Sequence, residues 1–151
     1  MTEAANKELL RRWFAEVWNR GDEGVIDALF AADGIAHGLG DTDGEVRGPA
    51  QFKAFARNMR VSFPDIQISV EDMLAEADKV TARIVVEGTH LGGNLGVPAS
   101  GRRVRVAGIV LVRISNGQII EGWNSWDQLG LMQQIGALAS PSHDRFLSAT
   151  S

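Results

Sequence analysis

The chain has 151 residues, of which 44% are hydrophobic and 23% are charged, and this is the size and composition of one globular domain with a sizeable core. A formal net charge of −4 and scattered basic residues argue against nucleic-acid binding, which needs concentrated positive charge. The absence of cysteine excludes disulfides, thiolate nucleophiles and cysteine-based metal sites.

The N-terminus and the apolar stretches carry no targeting or membrane signal. The first residues, up to Phe14, lack the basic start and apolar run that a signal peptide requires. No apolar stretch approaches the roughly 18 residues that a transmembrane helix needs. We therefore expect a cytoplasmic protein that does not associate with membranes.

Three amphipathic helices are predicted in the N-terminal part of the chain. Apolar residues recur at helical spacing from about Glu3 to Arg20, and Gly21 ends that helix. Asp22 can cap a short second helix. A third helix begins near Gly48-Pro49, where proline suits the first turn, and ends at Phe63-Pro64-Asp65.

The rest of the chain alternates between apolar and polar residues as strands do, and a short helix follows. The predicted strands cover Ile66 to Val70, Val80 to Thr89, Val104 to Ile114 and Gln118 to Asp127, with a glycine-rich loop at Leu91 to Gly101 and a last helix at about Gln128 to Leu138. Helices followed by an antiparallel meander indicate an α+β fold, in which a curved sheet closes on a helix layer around a cavity. We expect one domain over residues 1–138 and a flexible tail over residues 139–151.

Asn116-Gly117 is a strong hairpin signal, and it predicts the register of the last two strands. A two-residue turn places Ile114 opposite Ile119, Val110 opposite Trp123, and Val106 opposite Asp127. Trp123 and Asp127 then share one face with the valines, and if that face lines the cavity, Asp127 is a carboxylate in apolar surroundings. Such a carboxylate can act as a general base, although Asp127 can equally cap the last helix.

Several local strings, in their order and spacing, resemble the SnoaL-like polyketide cyclases of the NTF2-like superfamily over roughly residues 5 to 137. They are Phe63-Pro64-Asp65, Gly88-Thr89-His90, Gly96-Val97-Pro98, the strand end with Trp123, Trp126 and Asp127, and the run from Leu129 to Gly136. The resemblance implies a cone-shaped fold around an apolar pocket, with helices packed on a curved antiparallel sheet. It also implies a homodimer.

The resemblance further implies a chemistry and a site. Family cyclases close a polyketide ring by intramolecular aldol condensation without metal or organic cofactor, and Asp127 occupies the position of their acid/base aspartate. His37 matches a histidine of many relatives and would position the substrate or Asp127, unless it only bonds loop backbone. An apolar small molecule would be the ligand, in a pocket predicted to include Phe14, Phe55, Met59, Phe63, His90, Val110 and Trp123, although core packing is the usual role of such apolar residues.

Other functions on this fold find less support in the sequence. A steroid-isomerase site and an epoxide-hydrolase site both use tyrosine, which this chain lacks. His37 and His90 have no metal-ligand spacing, so no metal site is predicted. The valine-rich strand facing Asp127 offers no polar partner unless His37 or Glu121 supplies one, and a carrier protein that binds without reacting is therefore the alternative to an enzyme.

Overall fold

A computed structural model describes residues 2–39 and 44–138 as helices packed on one six-stranded sheet, which confirms the α+β prediction. The predicted tail, 139–151, lies outside the described residues. The described elements, in chain order, are α1 (Glu3–Arg12), a π-helical segment (Trp13–Asn19), α2 (Glu23–Leu29), β1 (Phe30–His37), β2 (Val46–Arg47), α3 (Gly48–Ser62), β3 (Gln67–Glu76), β4 (Lys79–Thr89), β5 (Arg103–Ser115), β6 (Gln118–Trp126) and α4 (Gln128–Gln134).

The N-terminal helices form where the apolar periodicity predicts them. The first helix continues without a break from α1 into the π-helical segment, where the N–H of Arg20 bonds the carbonyl of Ala15 at 3.1 Å. Asp22 caps α2 as expected, since its carboxylate accepts from the N–H of Gly24 at 3.1 Å. No helix among the described residues is both long and apolar enough to cross a membrane.

The sheet order is β2-β1-β6-β5-β4-β3, so β6, the last of the described strands, lies in the middle of the sheet. β3 to β6 form an antiparallel meander, as predicted. β1 pairs parallel to β6 and was not predicted, because its sequence lacks the alternation of apolar and polar residues that marks a half-buried strand.

One face of the sheet packs against the helices, and no described helix covers the other. Even-numbered residues of β5 from Val104 to Ile114 are buried on the inner face, whereas the odd-numbered ones are exposed or half-buried. The inner face and the helices enclose a continuous apolar core that includes Leu10, Trp13, Trp18, Ile26, Phe30, Phe52, Ile84 and Val110.

The predicted register of the β5–β6 hairpin holds only next to the turn. Ile114 lies opposite Ile119, as predicted, but a β-bulge at Ile120 then shifts the pairing by one residue. A one-residue shift moves every following side chain to the other face of the sheet. Leu111 therefore lies opposite Trp123, and Gly108 opposite Trp126. The prediction that Trp123 shares the inner face with Val110 is wrong.

Candidate functional site

A cavity of about 490 Å³ lies between α3, the inner face of the sheet, the loop after β4 and α4. Its lining is mostly apolar and comes from elements far apart in the sequence. The lining residues are Trp18, Leu39, Phe55, Asn58, Met59, Phe63, Ile66, Ile68, Val86, Glu87, Gly88, Asn94, Leu95, Gly96, Val104, Val106, Trp126, Asp127, Gln128, Leu131 and Met132. Cavities of this size and character are typical binding sites for small molecules.

Helix α3 supplies one wall of this cavity. Pro49 lies in the first turn of α3, where its missing N–H removes no helix bond. Phe55 and Met59 are four residues apart, hence on the same side of the helix, and both border the cavity, as does Phe63 after the last turn. Three of the predicted pocket residues thus border this cavity.

The loop after β4 is fixed to α3 and closes one side of the cavity. The Asn94 side-chain amide donates to Oδ1 of Asn58 at 2.8 Å, and both residues border the cavity. At the base of the loop, the N–H of Leu91 bonds the carbonyl of Ser62 at 2.9 Å. Gly92 passes so close to α3 that a Cβ there would lie 2.2 Å from the carbonyl oxygen of Val61. The loop is thus anchored at both its base and its tip.

His90 is fully buried at the base of the same loop. Its Nδ1 lies 2.9 Å from the Ser100 hydroxyl and accepts from the N–H of Ser100 at 3.1 Å. Its ring lies 5.6 Å from that of Phe63. His90 does not border the cavity, so in the structure it holds the two ends of the loop together.

Asp127 lies at the rim of the cavity and caps α4. Its Oδ1 accepts from the N–H of Gly130 at 2.9 Å, and the carboxylate is exposed. Gly130 fits closely, because a Cβ there would lie 2.2 Å from the carboxylate oxygen Oδ2. Asp127 therefore has the capping contact that the sequence analysis names as an alternative, in a position that also borders the cavity.

Gln134 attaches α4 to the sheet. Its amide oxygen accepts from the N–H of Arg105 at 2.7 Å, and its amide nitrogen donates to the carbonyl of Arg105 at 3.0 Å. These two bonds continue the hydrogen-bonding pattern of β5 in the way that another strand would. The apolar side chains of Leu131 and Met132 are thereby held against the cavity.

His37 lies on the outer face of the sheet and is not close to Asp127, contrary to the predicted pairing in the cavity. Its Nε2 lies 2.7 Å from the Glu121 carboxylate, and its Nδ1 lies 3.6 Å from Glu45. The ring stacks on Trp123 at 5.6 Å between centroids. The parallel β1–β6 pairing puts His37 opposite Trp123 and two residues from Glu121 along β6, and the bulge at Ile120 turns Glu121 and Trp123 outward.

The remaining predicted pocket residues lie elsewhere. Phe14 and Val110 are buried and border a second, smaller cavity of about 40 Å³ deep in the core. Trp123 is 37% exposed on the outer face and borders neither cavity. The bulge that removes Trp123 from the inner face brings Trp126 there, and Trp126 borders both cavities although the sequence analysis does not select it for the pocket.

The cavity presents carboxylates but no cation among its described lining residues. Asp127 and Glu87 are the acidic residues of the lining, which contains no lysine, arginine or histidine. The carboxylate of Glu87 lies 3.6 Å from Arg103, with which it forms an ion pair. Asp127 is therefore the acidic lining residue without a described ion pair to a cation.

Asp65 stabilises the segment that joins α3 to the sheet. Its carboxylate accepts from the N–H and the hydroxyl of Thr89 at 2.7 and 2.8 Å, and Arg103 lies 3.3 Å away. These hydrogen bonds, the one from the Thr89 N–H above all, lower the pKa of Asp65 below its ordinary value.

Among the described residues, no group of three histidine or acidic side chains is arranged to hold a metal ion.

A family model and a curated relative both match this chain over most of its length. The sequence model of the SnoaL-like polyketide cyclases matches residues 8–135. The aklanonic acid methyl ester cyclase DnrD of Streptomyces peucetius is 29% identical over 131 residues, which are 85% of this chain and 89% of DnrD.

Solved structures share the fold over nearly the whole chain. A protein of Jannaschia sp. CCS1 described as a SnoaL-like polyketide cyclase has a TM-score of 0.81 and 30% identity, covering 92% of this chain and 95% of that one. AclR of Streptomyces galilaeus, described as a hydroxylase, has a TM-score of 0.85 and 28% identity, covering 99% of this chain and 92% of AclR. Proteins described with different activities thus share this architecture.

Proposed function

The chain belongs to the SnoaL-like polyketide cyclase family, and we propose on that premise that it closes a ring in an apolar carbonyl compound by an intramolecular aldol reaction. The substrate would occupy the 490 Å³ cavity, and Asp127 would be the acid/base. The observation that carries this proposal is a carboxylate at the rim of a mainly apolar cavity, next to the space a substrate would fill.

The proposed reaction needs one group that takes a proton and returns it. The Asp127 carboxylate removes a proton from the carbon between two carbonyl groups, and the electron pair of that C–H bond becomes the enolate. The enolate carbon attacks a ketone carbon of the same molecule, and one C–C bond forms as the C=O π bond breaks. The protonated Asp127 then gives its proton to the new alkoxide, so the carboxylate is regenerated without any co-reactant.

The cavity would contribute by holding the flexible substrate in a reactive fold. Aromatic and aliphatic side chains on opposite walls, such as Phe55 on α3 and Leu131 on α4, leave a confined space for a folded chain. Confinement of two reacting groups of one molecule replaces an entropic cost that would otherwise belong to the transition state.

We further propose that the substrate is uncharged. A free carboxylic acid would bring an anion into a space whose described lining carries carboxylates and no cation, and it would lose hydration without gaining a partner. An ester of the same compound avoids that cost. The methyl ester named for the DnrD cyclase is therefore a suitable first substrate to test on this chain.

A carrier function is the second candidate, and the position of His37 favours it. His37 is bonded to Glu121 on the outer face, so it does not assist Asp127 in the cavity. Asp127 in turn bonds the N–H of Gly130. A protein with this arrangement and no reactive substrate would bind an apolar metabolite and release it unchanged.

Incubation with aklanonic acid methyl ester distinguishes the two candidates. We expect the wild-type chain to convert the ester into a cyclised isomer of unchanged mass faster than buffer alone does. Chromatography with mass detection measures this conversion. Stoichiometric binding without conversion would support the carrier, and an absence of both binding and conversion would contradict both candidates.

We also propose that the outer face of the sheet pairs two copies of the chain. This face exposes the apolar side chains of Leu74, Ile109, Leu111 and Trp123, of which Leu74 is 65% and Ile109 54% exposed. Burying such a patch against a second copy is favourable. Light scattering coupled to size exclusion should give a dimer mass for the wild-type chain and a monomer mass for Ile109→Lys. A monomeric wild-type chain would contradict the proposal.

A further inference from the structure

Trp126 lies on Gly108, and this contact depends on the absence of a side chain at position 108. The two residues are opposite each other in the β5–β6 pair. A Cβ on Gly108 would lie 2.7 Å from Cε3 of the indole and 3.1 Å from its Cδ2, which is closer than packed atoms tolerate. Gly108 therefore provides the space in which the indole packs against the sheet.

This indole lies between the large cavity and a smaller one. Trp126, together with Trp18 and Leu39, borders both the cavity of about 490 Å³ and the smaller one of about 40 Å³ behind it. The smaller space reaches the aromatic rings of Trp13 and Phe52, which lie 4.8 Å apart between centroids. Trp126 is half-buried and has the largest side chain that β6 places on this boundary.

The bulge at Ile120 fixes which tryptophan has this role. Without the shift of one residue, Trp123 would lie on the inner face and Trp126 on the outer face. Bulges often re-aim a side chain toward a functional site. Here the bulge places an indole at the inner end of the cavity and leaves the other tryptophan of the strand outside.

We propose that Trp126, seated on Gly108, is a specificity-determining residue that limits the length of the ring system the cavity accepts. The inference rests on the proposed use of the cavity as the substrate site. It assigns to the indole the role of a wall between the site and the small cavity in the aromatic core. Ligands with an extended fused-ring system would meet this wall first.

Three methyl ketones of increasing size test the proposal without any need for turnover. Acetophenone, 2-acetylnaphthalene and 2-acetylanthracene differ only in the number of fused rings, and calorimetric titration gives a Kd for each. The proteins are the wild-type chain, Trp126→Ala, Trp126→Phe, Gly108→Ala and the double variant Gly108→Ala/Trp126→Ala. Trp123→Phe is the matched control on the outer face of the same strand. Circular dichroism verifies that each variant folds. If Trp126→Ala does not fold, the two single variants Trp126→Phe and Gly108→Ala still test the proposal.

We expect Trp126→Ala to strengthen binding of the three-ring ketone relative to the two-ring ketone by about tenfold or more, since one or two carbons in an apolar pocket already change affinity by that factor. Trp126→Phe should give a smaller change in the same direction, and Trp123→Phe none. Gly108→Ala should weaken binding of the three-ring ketone, because the new Cβ forces the indole toward the cavity. In the Trp126→Ala background the same substitution should have a smaller effect, since the 2.7 Å contact with the ring is gone and only the Ser125 carbonyl oxygen, 3.1 Å from the new Cβ, remains close.

The assignment of Trp126 as a wall is overturned if the ratio of the Kd of the three-ring ketone to the Kd of the two-ring ketone stays at its wild-type value in the Trp126 variants. It is also overturned if Gly108→Ala acts equally with and without the indole. In either case the wild-type chain still binds the ketones, so the cavity remains the proposed site. Failure of every ketone to bind the wild-type chain would instead overturn the cavity as the substrate site and this inference with it.

Discussion

The cap of α4 gives a prediction whose size follows from a single hydrogen bond. Asp127→Ala removes the oxygen that accepts from the N–H of Gly130 at 2.9 Å and leaves that N–H to water. Loss of an N-cap of this kind costs about 1 kcal/mol, and Asn caps about as well as Asp, so Asp127→Asn should cost only a few tenths of that. For a chain of this length, 1 kcal/mol corresponds to a fall in Tm of about 2–4 °C.

Hydrogen exchange localises the effect to α4. No residue of the helix from Gln128 to Gln134 is buried, so the helix can open without unfolding the core. The N–H of Leu131, which bonds the carbonyl of Asp127 at 3.0 Å, should lose about fivefold in protection in Asp127→Ala and much less in Asp127→Asn. Equal protection in the wild-type chain and Asp127→Ala, or equal loss in both variants, would refute the assignment of the cap.

Three further predictions concern stability and selectivity. Because hydrogen bonds from Thr89 lower the pKa of Asp65, this carboxylate contributes stability at neutral pH that is lost as the pH falls below about 4. Urea titrations of Asp65→Asn should show lower stability at pH 7 and a smaller loss of stability on acidification. An unchanged acid dependence in this variant would contradict the prediction. Gln134→Ala should speed hydrogen exchange at Arg105 and throughout α4 without changing exchange in β3, and uniform changes along the chain would argue against a local attachment. In calorimetric titrations at pH 7, the free acid of the ester substrate should bind at least about tenfold more weakly than the ester, since its anion finds no cation in the described cavity lining. Equal affinities of acid and ester would contradict the proposal of an uncharged substrate.

Elements that depend on local sequence could be predicted. Apolar periodicity marks α1 and α3, Asp22 marks the start of α2, and Asn116-Gly117 marks the hairpin turn, where both residues have positive φ, 52° and 72°. Each of these signals lies within a few residues of the feature that it specifies. The walls of the cavity supplied by α3 follow from the same periodicity.

Features that depend on distant contacts could not be predicted from the sequence. The parallel contact with β6, about ninety positions later in the chain, determines which residues of β1 are buried. No local pattern in the sequence shows that contact. The bulge at Ile120 has no glycine to mark it, yet it decides that Trp126 faces the cavity and that Trp123 stacks on His37 outside. The misplacement of Trp123 is therefore an error of one residue of register rather than a wrong fold, whereas His37 was misplaced because β1 itself was not predicted.

The proposed role of Asp127 is tested most directly by one pair of matched substitutions. Asp127 and Asp22 both cap short helices, each by accepting from a nearby glycine N–H, but only Asp127 borders the cavity. Asn preserves a cap and cannot take a proton, so the pair separates capping from proton transfer. The measurement is the single-turnover rate of cyclisation of aklanonic acid methyl ester. If Asp127 is the acid/base, the rate should fall by about 100-fold or more in Asp127→Asn and stay at the wild-type value in Asp22→Asn. A wild-type rate in Asp127→Asn would contradict that role.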